Sequence, residues 1–143
     1  MKPILTLGAA IALVLSASPA RAEEHEHVGP HKGAVLVWGE EEYHLEVVTD
    51  PKAGTVTVYV YGNDDDLKAG KARPIAAKSL VMTVKADKAV TLKLDARPQK
   101  GDPEGSASAF AGKHAVFATD ARRSGTVSGK VGTKPYSGDF KHK

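Results

Sequence analysis

From Ala34 onward, apolar and polar positions alternate in short runs separated by turn residues, and no stretch keeps a helical period over three turns. The clearest run is residues 55–61. In an extended strand its Val56, Val58 and Val60 fall on one face, with Thr55, Thr57, Tyr59 and Tyr61 on the other. Residues 34–38 and 42–49, joined through Gly39 and an acidic stretch, read as a hairpin that ends at Asp50-Pro51 and Gly54. A second hairpin pairs 80–84 with 90–94 around Ala86-Asp87-Lys88. Between the hairpins, residues 62–66 read as a turn or loop tip. Beyond Pro98 the chain is rich in Gly, Pro and Ser up to Ala109-Phe110, and residues 114–118, 126–131 and 136–140 supply shorter apolar pieces. About seven short strands at about 10–12 residue spacing predict an all-β domain. The expected form is a small antiparallel β-sandwich of immunoglobulin-like kind, with a small open β-barrel as the alternative.

Residues 1–22 have a different character. A lone Lys2, an apolar run over 4–15 and small residues ending in Ala20-Arg21-Ala22 predict a signal peptide, cleaved after Ala22 or, since Ser18-Pro19-Ala20 also fits, after Ala20. The apolar run is shorter than the roughly 20 residues of a membrane-spanning helix. The expectation is a periplasmic or secreted protein with no membrane anchor. Residues 23–33 are polar and broken by Gly29-Pro30, which predicts a flexible histidine-bearing arm ahead of a domain over 34–143.

Composition narrows the chemistry. There is no cysteine, which excludes disulfides, zinc thiolate sites, c-type haem attachment and thiol redox reactions. Without residues 1–22 the chain keeps 18 basic against 17 acidic residues, scattered and not interleaved with aromatics. That pattern is no nucleic-acid footprint. No Gly-x-Ser-x-Gly elbow, phosphate-binding glycine loop or His-Glu-x-x-His pair is present, so an enzyme is not expected.

The histidines carry the strongest chemical signal. His25, His27 and His31 fall within seven residues, with Glu26 among them and Glu23 and Glu24 just before. Imidazole is the commonest protein ligand for divalent transition metals, and carboxylates supplement it. Cleavage after Ala22 would also place His25 third from a free amine. The amine, two backbone amides and the imidazole then form a square-planar nitrogen set suited to Cu(II) or Ni(II). A second constellation is Glu42-Tyr43-His44-Leu45-Glu46, where strand periodicity puts Glu42, His44 and Glu46 on one face and Tyr43 and Leu45 on the core face. Solvent exposure of that polar face is the competing reading. His114 reads as a structural or surface histidine, and His142 sits between lysines that disfavour a cation. Asp64-Asp65-Asp66 lacks the spacing and distal glutamate of a calcium loop and reads as a solvated tip.

Pro30-His31-Lys32-Gly33, Glu42-Tyr43-His44-Leu45-Glu46-Val47 and the Thr-Val-Tyr run over 54–60 together resemble a group of small exported histidine-bearing proteins. The pattern is also similar to N-terminal segments of periplasmic adaptor subunits of heavy-metal efflux systems. The resemblance covers Pro30 to Tyr61, and residues 102–110 and 134–140 more loosely. It implies a small β domain in the envelope that handles copper, zinc or similar ions, with a heavy-metal efflux component as partner. Carried over by position, it singles out His31, Tyr43, His44 and Glu46.

The resulting expectation is an exported accessory protein that buffers or delivers divalent copper, nickel or zinc, using His25, His27, His31, His44 and Glu46. The alternative is a non-enzymatic interaction or structural β module with no metal role.

Overall fold

The computed structural model describes residues 27–142. The expected signal peptide over 1–22 and the arm residues 23–26, His25 among them, lie outside the described residues. Eight strands form one antiparallel sheet: β1 (Ala34–Trp38), β2 (Tyr43–Asp50), β3 (Thr55–Tyr61), β4 (Ser79–Lys85), β5 (Val90–Ala96), β6 (Ala109–Lys113), β7 (Ser124–Val131) and β8 (Lys134–Lys141). A short helix, α1 (Asp64–Ala69), follows β3. The order across the sheet is β1-β2-β3-β6-β5-β4-β7-β8.

The all-β antiparallel class is as the alternation predicts, and the single sheet curls until its two edges nearly meet, giving a barrel that is almost closed. Three contacts draw the β1 and β8 edges together. Trp38 at the end of β1 is fully buried, donates its indole N–H to the Val127 carbonyl on β7 at 3.1 Å and stacks on Tyr136 of β8. Gly138 on β8 has no Cβ, and one built there would stand 2.6 Å from the Val37 carbonyl oxygen of β1. Only glycine admits that approach. The inner faces supply the core, with Leu36, Leu45, Val47, Val56, Val58, Val60, Leu80, Met82, Val84, Leu94, Phe110, Val127 and Phe140 all buried.

Three expectations need correcting. Residues 114–118 are not a strand: His114 Nδ1 accepts the Val116 N–H at 3.0 Å and starts a single 3-10 turn, Ala115–Phe117, that tucks Phe117 into the core. Residues 64–66 are not a loop tip but the first turn of α1. Asn63 accepts the Asp66 N–H at 3.0 Å as N-cap, three aspartates complement the helix dipole, and Gly70 closes the C-terminus at φ +66°. Finally, residues 27–33 do not extend from the domain. They lie against the outer face of β2 and β3.

That docking changes β2. Its inward set, Tyr43, Leu45 and Val47, is buried as expected, but so are His44 and Glu46 on the outward face, both at 0% exposure. Cross-strand register places Tyr61 opposite His44 and Tyr59 opposite Glu46. One outward patch of the barrel is therefore polar and covered.

Candidate metal centre

The patch divides into two groups. In the first, His27 from the arm, His44 from β2 and Asp64 from α1 each offer a ligand atom, and these atoms all lie within 4.8 Å of one another. Each side chain is placed by a different device. His44 is held by strand register and by its Nδ1, which lies 2.9 Å from the Gly62 carbonyl oxygen. A carbonyl only accepts, so Nδ1 carries the proton and Nε2 keeps its lone pair. Asp64 is placed by the Asn63 cap at the start of α1. His27 donates from Nδ1 to Asp64 Oδ1 at 2.8 Å, and its ring meets the His44 ring edge-on at 4.8 Å.

Among the described residues, the His44 Nε2 atom is buried and has no hydrogen-bond partner. An unmet buried nitrogen costs about 1–3 kcal/mol, and native structures rarely leave one without a reason. Its tautomer is the one a metal-binding histidine needs, with the far nitrogen donating to a backbone carbonyl. Asp64 is suited to the same task. The Lys68 ammonium one turn along α1, and then His27, hold its carboxyl below the usual range, so it stays anionic.

Two imidazoles and a carboxylate form a set that suits zinc, copper(II) or nickel. Bonds of about 2.0–2.1 Å place the ligands of a tetrahedral ion about 3.3 Å apart. The widest separation here must therefore shrink by about 1.5 Å. His27 is the element able to supply that movement, because His44 and Asp64 are both fixed to the barrel. Three protein ligands leave one coordination position for water or an exchanging ligand.

The second group centres on Glu46. Oε1 accepts the His31 N–H at 2.8 Å and the Gly33 N–H at 2.9 Å; Oε2 accepts from His31 Nδ1 at 2.8 Å and the Tyr61 hydroxyl at 3.1 Å. The carboxylate is thus fully engaged. Burial first, and then the Glu46 charge, push the Tyr61 phenol well above its ordinary value, so it remains a donor. His31 stacks on Tyr59 with ring centroids 4.2 Å apart.

Of the residues singled out in the sequence, His27 and His44 meet in the three-residue group. His31 and Glu46 bind each other instead, and His25 lies outside the described residues. Glu42 does not share the His44 face as a strand residue: it precedes β2 and pairs with Lys134 at 2.9 Å. Asp64 is the residue that sequence reasoning missed. The chain from Asn63 through three aspartates to Gly70 is a capped-helix signature, and reading it so would have brought Asp64 out of the loop. The chain matches no protein-family model, no curated protein and no solved structure.

Proposed function

We propose that this protein is an exported binding module for a divalent transition metal, held by His27, His44 and Asp64, and that it buffers or delivers the ion in the envelope. The observation that carries this reading is the buried Nε2 of His44, without a partner among the described residues and kept in its ligating tautomer by the Gly62 carbonyl. In the ion's absence His27 Nδ1 donates to Asp64. An ion held at Nδ1 would take the place of that proton, and the neutral ring would then carry its one proton on Nε2 instead. Copper(II) should bind more tightly than nickel or zinc, following the usual order for nitrogen and oxygen sites. The leader-like pattern of residues 1–22 and the resemblance to efflux-associated segments support an envelope location and an efflux component as the recipient.

The test is isothermal titration of the protein with Zn(II), alongside a His44→Leu variant. Zinc is chosen because an amine-and-amide nitrogen set at the N-terminus favours Cu(II) and Ni(II) instead. The expected result is one ion per chain, bound tightly by the wild type and at least about 100-fold more weakly by the variant. Equal binding by the two proteins would remove the site, and no binding tighter than millimolar would remove the function.

A further inference from the structure

Two of the three candidate ligands, His44 and Asp64, belong to the barrel, while the third, His27, rides on a segment joined to the barrel chiefly through one carboxylate. Resting on the metal reading above, we propose that Glu46 is a positioning residue: it locks residues 29–33 onto β2, holds His27 over His44 and Asp64, and so sets how fast the ion leaves.

The contacts of that segment converge on Glu46. The N–H groups of His31 and Gly33, on either side of Lys32, point at Oε1, and the His31 ring closes on Oε2. The Lys32 N–H returns to the Gly29 carbonyl at 3.0 Å, and Lys32 adopts φ +59°, so the backbone curls around the carboxylate. Gly29 is buried directly over it: a Cβ there would stand 2.3 Å from Glu46 Cδ and 2.4 Å from Oε1. Any side chain at position 29 must lift the arm or displace the carboxylate. Pro30 rests near Gly70 at the end of α1, the helix that carries Asp64. None of these groups belongs to the three-residue set, so the lock would act on the ion through His27.

The arrangement separates holding from capture. With the arm raised, His44 and Asp64 remain as a two-ligand half-site, able to accept an ion or surrender it to a competing ligand. With the arm down, His27 completes the set and the ion is enclosed.

The experiment measures Zn(II) release to excess chelator by stopped flow. It compares the full chain with Gly29→Ala, Glu46→Gln, His27→Ala, and each of the first two combined with His27→Ala. Trp38 fluorescence confirms that each variant is folded. Gly29→Ala leaves every polar group of the barrel intact, which keeps the test open should Glu46→Gln fold poorly. Changing residues that support a metal ligand costs about 10–100-fold in affinity, and an acceleration of release of that size is expected for Gly29→Ala and Glu46→Gln. In the His27→Ala background the same changes should add less than about twofold, because coupled residues are not additive. Release at the wild-type rate from Gly29→Ala would overturn the proposal, as would an undiminished effect of Glu46→Gln without His27. If the wild type binds no zinc, the metal reading itself has failed. If it binds zinc and loses it in His44→Leu, yet ignores the lock variants, only the positioning role has failed.

Discussion

Replacing His44 by leucine should uncouple metal response from stability, in a direction that an ordinary core histidine would not show. The imidazole is fully buried, with Nδ1 bonded to Gly62 and Nε2 unmet. Leucine removes the Nδ1 bond, worth about 0.5–1.5 kcal/mol, and also removes the orphaned nitrogen, worth about 1–3 kcal/mol. The Gly62 carbonyl is not abandoned, since it still accepts the His44 backbone N–H at 3.1 Å. The two terms leave the chelated variant between about 0.5 kcal/mol less and about 2.5 kcal/mol more stable than the wild type. Zinc reverses the order. At free zinc one hundred times the dissociation constant, the wild type gains about 2.7 kcal/mol, or about 8–14 °C in melting temperature for a domain of this size. The variant should gain almost nothing. Thermal unfolding followed by Trp38 fluorescence, with chelator and then with buffered zinc, reads both effects. A chelated His44→Leu protein destabilised by more than about 2 kcal/mol would refute the account of the orphaned nitrogen. A wild type whose midpoint ignores zinc would refute the site.

Other outcomes are equally specific. Acidification from pH 7.5 to 5 should weaken zinc binding at least about tenfold, because two imidazoles must stay neutral to bind while the depressed Asp64 carboxyl remains charged; titration calorimetry at several pH values reads this, and a flat profile would exclude histidine ligation. Asp64→Asn should weaken zinc binding while leaving α1 capped by Asn63, so circular dichroism should not change; unchanged affinity would remove Asp64 from the ligand set. Trp38→Ala should cost about 3–5 kcal/mol by emptying the seam between β1 and β8, checked by urea unfolding followed by circular dichroism, and a loss under about 1 kcal/mol would show that the seam is held elsewhere. At Asp102, burial pushes the carboxyl up, but hydrogen bonds from the Gln99 and Ser108 backbone and the Ser108 hydroxyl outweigh it and hold the group below its usual range. Its contribution is therefore present above the unfolded-state value and lost as pH falls through the folded one, so the stability gap between wild type and Asp102→Asn should close in acid; a gap that widens there would contradict the direction.

The strands were legible because they obey a simple rule. Val56, Val58 and Val60 alternate with threonine and tyrosine, and β3 occupies the residues that this pattern predicts. The polar face of β2 was legible as a face but not as an environment. Period two places His44 and Glu46 together, yet whether water reaches them depends on residues 27–33, whose composition predicts a free arm. A single glutamate overrides that composition by accepting two of the arm's N–H groups and the His31 ring nitrogen. Asp64 was hidden for another reason. Three adjacent aspartates look like a solvated tip unless Asn63 and Gly70 are read as the two ends of one short helix. Long-range partners such as Trp38 with Val127, or His27 with Asp64, are set by barrel closure and arm docking and leave no local trace.

A covered polar patch is an unusual use of a small domain. Burying a carboxylate and an imidazole is unfavourable unless their hydrogen bonds are met, and apolar residues of similar shape often serve stability as well or better. Glu46 meets that requirement fully, with four donors, and His44 does not. The two residues lie two positions apart on one strand and one face, so packing alone gives no reason for the difference. The proposed metal site would give one: the satisfied residue would fix the cover, and the residue left unsatisfied among the described residues would serve as a ligand beneath it. Stability selection alone would fill the His44 position with an apolar side chain, which is why the stability of the chelated leucine variant bears so directly on function.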